Sequence, residues 1–336
     1  MEVTFLAPPR VGRTIGYQKY YLLGFEEAAR LRTRGLPSVP RVRAKVSLAY
    51  RLGRGDGEAY VGRYESGGVR FAIDGHDKRE VRDPEALAWS DVYFKANRWP
   101  GDAYDAKVLP VVNGNGLLDA GKIKHLRSLR RAPKDVDVVY ISNVWGGREH
   151  SLRVFERLAE LDCSKDLVAV FPGGFPAEED ERNMARLRAR GIAVTRDPLP
   201  PGELWRRLAR ARLVPFRAGK HLCWSWRTID LLAMGACIVF DALPPPRWPV
   251  PVELGVHVAD CGIARPEDTE PAPDAEYDKV PETVERLLAA PDEQETLREG
   301  AARYFDEHAM PAAIARYVLG TVSRTTAGVG SAWGTR

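Results

Sequence analysis

Cysteine is scarce in this chain of 336 residues: Cys163, Cys223, Cys237 and Cys261 are the four. None share a C-x-x-C spacing, which excludes a zinc ribbon and offers no disulfide framework. A reducing, cytoplasmic compartment is the simplest setting. Histidine is also sparse, six in all, with no His/Cys grouping at ligand spacing, so no transition-metal site is expected. No apolar run approaches the roughly 20 residues that cross a bilayer. The N-terminus, M-E-V-T-F-L-A-P-P-R, is too short in its apolar stretch for a signal peptide. No integral membrane segment is therefore expected. A dominant charge is lacking too. Lys and Arg total 50 against 46 Asp and Glu, a net +4, with arginine spread along the whole chain. So small an excess fits an anionic small ligand or acceptor and argues against nucleic acid as a partner. Internal repeats and low-complexity tracts are absent.

What is present is an alternation of strand-length apolar runs and helix-length amphipathic segments, in a chain long enough for two domains. Val3–Ala7 reads as a first strand, and Tyr20–Arg34 has helical spacing that ends near Gly35 and Pro37. Val42–Leu52 and Glu58–Tyr64 alternate like strands on either side of G-R-G-D-G. No helix follows that glycine cluster, so it reads as a hairpin turn and not as a phosphate loop. Val69–Ile73 is a strand ending in D-G-H-D, Asp74–Asp77. A helix around Pro84–Trp89 leads to strands Val92–Lys95 and Val108–Val112. Leu118–Pro133 is basic and helix-like, closes at a proline and marks the domain boundary. Strands Val136–Ser142, Leu167–Phe171, Ile192–Thr195, Leu213–Phe216 and Cys237–Phe240 then alternate with helices His150–Leu161, Glu178–Arg190 and Pro201–Ala211, the pattern of parallel α/β units. Helices Glu282–Ala289, Glu293–His308 and Pro311–Val322 follow, before a small, polar tail.

Leu213–Asp241 carries the most chemistry. Arg217, Lys220 and His221 place positive charge in a loop after a strand. Ser225 suits an N-cap for a helix over 226–234, and Gly235 stands where a helix C-terminal glycine belongs. A cationic loop running into a helix N-terminus suits an anion, since free N–H groups and the helix dipole point at it. Arg227 in the first turn can reach the same ligand. Asp230, one turn on, offers a carboxylate for a vicinal diol. Phosphate plus diol means nucleotide.

These residues carry a resemblance. Two α/β halves with the best site in the second resemble the GT-B glycosyltransferases. D-L-L-A-M-G-A-C-I-V-F-D, Asp230–Asp241, is similar to the E-A-M-A-C-G-x-P-V-V stretch of the retaining, glycogen-synthase-like branch. R-T-I-D, Arg227–Asp230, is closer to the R-x-F-E of the spore-maturation-type and exostosin-like relatives. The resemblance implies two Rossmann-like α/β domains facing each other across a cleft: 1–130 for the acceptor and 131–310 for a nucleotide-sugar donor. A helix over 311–324 would return to the first domain, and 325–336 would be a disordered tail. It implies a transferase that moves a sugar from a nucleoside-diphosphate sugar to a hydroxyl acceptor, with retention and with no metal or further cofactor. Asp230 falls at the family's ribose-binding Glu, and Leu222 where a first acid often stands. Gly146, Gly147 and Arg148 fall at its diphosphate-binding turn with Lys220 as partner cation, and Pro198 lies in the region that contacts the base.

Two further groups complete the candidates. His76 and Asp77 follow a strand, where α/β sheets place ligands. Either could take the acceptor's proton, which would make the reaction inverting; otherwise the leaving phosphate is the base and the reaction retains. Arg13 and Tyr17 border the expected acceptor side, whose chemistry stays open. A homodimer is compatible with these features. D-V-D at Asp135–Asp137 precedes an apolar run and reads as a solvated strand start, not as a metal site. A sugar-nucleotide epimerase and a non-catalytic nucleotide-binding module are the alternatives.

Overall fold

Short runs of β-branched and aromatic residues build two six-stranded sheets, each within its own unit of the chain. The computed structural model describes residues 1–6, 12–34, 60–144, 148–173, 176–264 and 271–331, and within these not the side chains of 12–15, 148, 220 and 326–331. The first unit comprises 1–123, 245–251 and 305–336, and the second 124–244 and 252–304. The sequence division at 130 thus moves to 123, and the chain returns to the first unit twice. No described helix is long and apolar enough to cross a membrane.

In the first unit the strands are β1 (Glu2–Leu6), β2 (Arg30–Arg34), β3 (Val61–Ser66), β4 (Val69–Asp74), β5 (Val92–Lys95) and β6 (Val108–Pro110). Their order is β2-β1-β3-β4-β5-β6. The sheet is mixed: β3 runs antiparallel to β1 and β4, while the other neighbours are parallel. Helix α1 (Gly12–Ala28) stops before β2, which corrects the expectation of one helix through Arg34. The period changes there from helical to two, with Arg30, Arg32 and Arg34 exposed along an edge strand, a charged edge of the kind that resists pairing with another chain. The described residues contain one hairpin in this sheet. It joins β3 to β4 through Gly67 and Gly68, with φ of 57° and 82°, the two positive angles of a type I′ turn. Most of the segment expected to form a hairpin, 42–64, lies outside the described residues. Fully buried Phe5, Phe25, Tyr64, Phe71 and Phe94 fill this core. α2 (Pro84–Trp89) is capped by the Asp83 carboxylate. α10 (Pro311–Ser331) belongs to this unit, where Tyr20 Oη donates to Ala309 O at 2.8 Å and Tyr317 Oη to Pro110 O at 3.0 Å. It runs as helix into the stretch expected to be a disordered tail, of which 332–336 lie outside the described residues.

The second unit contains β7 (Val136–Asn143), β8 (Lys165–Val170), β9 (Ala193–Thr195), β10 (Ala211–Phe216), β11 (Ile238–Phe240) and β12 (Ala259–Asp260), ordered β12-β11-β10-β7-β8-β9. Every neighbouring pair is parallel. Helices α3 (Ala120–Ser128), α4 (Arg148–Glu160), α5 (Ala177–Arg188), α6 (Pro201–Ala209), α7 (Trp226–Ala233), α8 (Lys279–Leu288) and α9 (Pro291–Tyr304) follow in chain order, α3 straddling the boundary between the units. The helix expected over 293–308 runs on to Ala309, its last turn wider than the α-helical ones. That turn, Phe305–Ala309, closes with Met310 N–H on Phe305 O, at 2.8 Å, ahead of Pro311. Asp135 and Asp137 stand at the N-terminal end of β7 in ion pairs with Arg210 (2.7 Å) and Arg212 (2.9 Å). They sit at the opposite end of that strand from its carboxyl end, where open α/β sheets collect ligands.

Candidate functional site

A doubly wound sheet collects ligands at the carboxyl ends of its strands, at the point where strand order reverses. In the second unit that point lies between β7 and β10: the chain proceeds outward through β8 and β9, then returns to β10 and leaves the other way. The residues at this edge are polar and convergent. Arg217, just past β10, donates from Nη1 to Ser151 Oγ at 2.9 Å, in the first turn of α4. Arg227, in the first turn of α7, donates from Nη1 to Ile141 O at 2.6 Å, near the end of β7. Both guanidiniums act on Tyr140, whose hydroxyl burial pushes up to about 12, with Arg217 and Arg227 drawing it down and Asp241 pushing it up. Burial lowers the pKa of Arg227 itself, opposed by the Asp230 carboxylate. Two cations held near the N-terminal turns of two helices make a field that favours an anion.

The sequence candidates are placed as follows. Ser225 caps α7 as expected, its Oγ accepting from Arg227 N–H at 3.3 Å, and Gly235 takes the left-handed turn, φ +59°. Asp230 is buried, 6% exposed, and its Oδ2 accepts from Trp205 Nε1 at 3.0 Å. The carboxylate therefore already serves an indole, which the diol reading did not foresee. Pro198 is exposed in the connection between β9 and α6. Lys220 lies in a single 3₁₀ turn with its side chain outside the described residues, Arg148 opens α4 with the same restriction, and Gly146 and Gly147 fall outside the described residues. His221 and Leu222 have φ of 63° and 53°. Two consecutive non-glycine residues in the left-handed region cost about 1 kcal/mol or more each, a strain typical of ligand-binding loops.

Sequence reasoning missed a second layer beneath this edge. Asp241, just past β11, accepts at Oδ1 from Ala218 N–H (3.3 Å) and Ala242 N–H (2.7 Å). Its Oδ2 meets His150 Nε2 at 2.5 Å, and His150 Nδ1 lies 2.9 Å from Tyr277 Oη. Tyr277 Oη accepts from Ala272 N–H, so its proton is directed at Nδ1 and the imidazole donates from Nε2 to the carboxylate. The signal available beforehand was positional: a polar residue just past a parallel strand and another in a helix first turn.

The first unit has its own polar edge. Asp74, fully buried at the end of β4, accepts at Oδ2 from Tyr93 Oη (2.9 Å) and Lys95 Nζ (3.1 Å), and at Oδ1 from His76 N–H (2.8 Å). His76 Nδ1 accepts from Lys78 N–H at 2.9 Å, so the neutral ring carries its proton on Nε2. Burial lowers the His76 pKa, with Asp74 raising it and Lys95, Arg82 and Lys78 lowering it. Asp77 accepts from Asn97 Nδ2 through its backbone carbonyl. Tyr17 packs against Tyr60 at a tilt, centroids 4.3 Å apart, and Tyr60 meets His76 edge-to-face at 4.5 Å. One aromatic ring thus joins the expected acceptor residue to the expected catalytic one. Arg13 lies within α1, its side chain outside the described residues. Among the described residues, no group of three or more His, Cys, Asp or Glu side chains is arranged to hold a metal ion.

No protein-family model and no curated protein sequence matches the chain. A glycosyltransferase from Rickettsia africae ESF-5 superposes with a TM-score of 0.50 at 11% identity, over 95% of this chain and 82% of that one. Acinetobacter baumannii MurG gives 0.37 at 13% identity, over 94% and 79%. Anabaena Alr3699/HepE in complex with UDP gives 0.46 at 14% identity, over 70% of this chain and 64% of that one. At 11% identity the likeness to the Rickettsia structure is one of fold, and it agrees with the two separately wound sheets: the chain has the GT-B fold, two Rossmann-like α/β units.

Proposed function

We propose that the chain transfers a sugar from a nucleoside-diphosphate sugar to a hydroxyl acceptor, without a metal ion and with retention at the anomeric carbon. The observation that carries this is the pair of guanidiniums, Arg217 and Arg227, held at the strand-order reversal of the second unit. When the bond from the anomeric carbon to the diphosphate breaks, negative charge grows on the leaving oxygen, and fixed donors stabilise it most where water is excluded. Two arginines and two helix N-terminal turns supply such donors. His76 favours retention. With Nδ1 accepting from Lys78 N–H, its Nε2 carries the proton, so the neutral ring donates a hydrogen bond there and does not take the acceptor's proton. That proton passes to the departing phosphate oxygen as the new glycosidic bond forms on the same face.

The test is nucleoside-diphosphate release from a panel of UDP-, GDP-, ADP- and dTDP-sugars, with EDTA present. At least one donor is expected to be turned over. Arg217→Ala should slow release by about 100-fold, as for loss of one preorganised donor. Product with the donor's anomeric configuration is expected by NMR, and Asp77→Asn should retain activity. An inverted product, dependence on Asp77, or turnover that EDTA abolishes would each contradict the corresponding part of the proposal.

A further inference from the structure

Resting on the proposal that the second unit binds a nucleoside diphosphate, we infer that Asp241 and His150 are positioning residues that aim Arg217 at the diphosphate. Neither is a ligand contact. Asp241 is 4% exposed and His150 fully buried. Their effect is on the backbone and on the anchor of one arginine. Asp241 is tied to β10 from both directions: its N–H donates to Phe216 O at 2.9 Å, and its Oδ1 accepts from Ala218 N–H at 3.3 Å. The residue between those two is Arg217. The other carboxylate oxygen holds His150, whose chain neighbour Ser151 accepts from the Arg217 guanidinium. One carboxylate therefore fixes where Arg217 leaves the sheet, and through His150 it fixes the helix turn on which the guanidinium rests. Tyr277, at 2.9 Å from Nδ1, holds the imidazole from the opposite side. A preorganised cation binds more tightly than a mobile one because less ordering remains to be done on binding.

The experiment is calorimetric titration of the whole chain with UDP, GDP and ADP, followed by the parent nucleoside of the tightest binder. Asp241→Asn keeps an acceptor for Ala218 N–H while removing the charge that holds His150. It is expected to weaken the diphosphate by about tenfold and to leave nucleoside affinity within about twofold, a selective loss of the phosphate contribution. Ser151→Ala, which leaves the His150–Asp241 pair intact and removes only the anchor, should do the same, and it decides the matter if Asp241→Asn does not fold. A parallel fall in nucleoside and diphosphate affinity would mark a merely structural role and overturn the inference. So would undiminished diphosphate binding in both variants. Wild-type protein that binds none of the three diphosphates overturns the functional proposal, and the positioning role with it; wild-type binding that survives both substitutions overturns the positioning role alone.

Discussion

Each unit ends its strands in a buried acid–base pair, and the two pairs are built differently. In the first, Lys95 and Asp74 are both fully buried, 3.1 Å apart. In the second, Asp241 meets an imidazole at 2.5 Å. The carboxylates do similar work. Asp74 accepts from His76 N–H and shapes the D-G-H-D turn, and Asp241 accepts from Ala218 N–H and shapes the Arg217 loop. In each unit a residue exposed enough to meet a ligand is set by one that is not. The difference lies in the partner. An ammonium in a dry interior needs its carboxylate, whereas a neutral imidazole is one hydrogen-bond partner among several.

That difference ranks the expected losses. Lys95→Met leaves Asp74 as a buried charge without its cation and should cost about 3–5 kcal/mol in urea unfolding. Lys95→Met combined with Asp74→Asn should restore part of this, and full additivity of the two losses would break the comparison. His150→Gln should cost about 1–3 kcal/mol, less because Asp241 keeps two backbone N–H donors. A loss equal to that of Lys95→Met would mean that the imidazole is charged and the two pairs are alike.

The smallest effect is on pH dependence. The folded pKa of His76 lies below the usual 6.5 through burial first. Between the folded and unfolded values the unfolded chain binds more protons, so this contribution to stability is present above about 6.5 and is lost as pH falls toward the folded pKa. His76→Gln should flatten that part of the stability profile, and NMR titration of the ring should give a midpoint below the usual value. A raised midpoint would mean that Asp74 outweighs burial.

Legibility in the sequence follows the same division between tip and prop. Ser225, Gly235 and the strand–helix alternation of the second unit could be read because caps and periodicity are local. Tyr17 and His76 could be singled out, but Tyr60, which joins them, could not, since ring contacts depend on the tertiary arrangement. Lys95 reads as a strand terminus in V-Y-F-K, and His150 lies 91 residues from Asp241, so neither sequence neighbourhood announces a pair. β2 reads as a continuation of the preceding helix because three of its five residues are arginines, leaving no apolar run to betray a strand.

On the proposed function, the carboxyl edge of the second unit binds a nucleoside diphosphate through Arg217 and Arg227. The most direct measurement is the thermal midpoint of the wild type and of Arg217→Ala across UDP, GDP, ADP and dTDP. A ligand at 100 times its dissociation constant stabilises the fold by about 2.7 kcal/mol, so at least one diphosphate should raise the wild-type midpoint clearly and the variant's far less. No shift with any diphosphate at millimolar concentration, or an equal shift in wild type and variant, would contradict it.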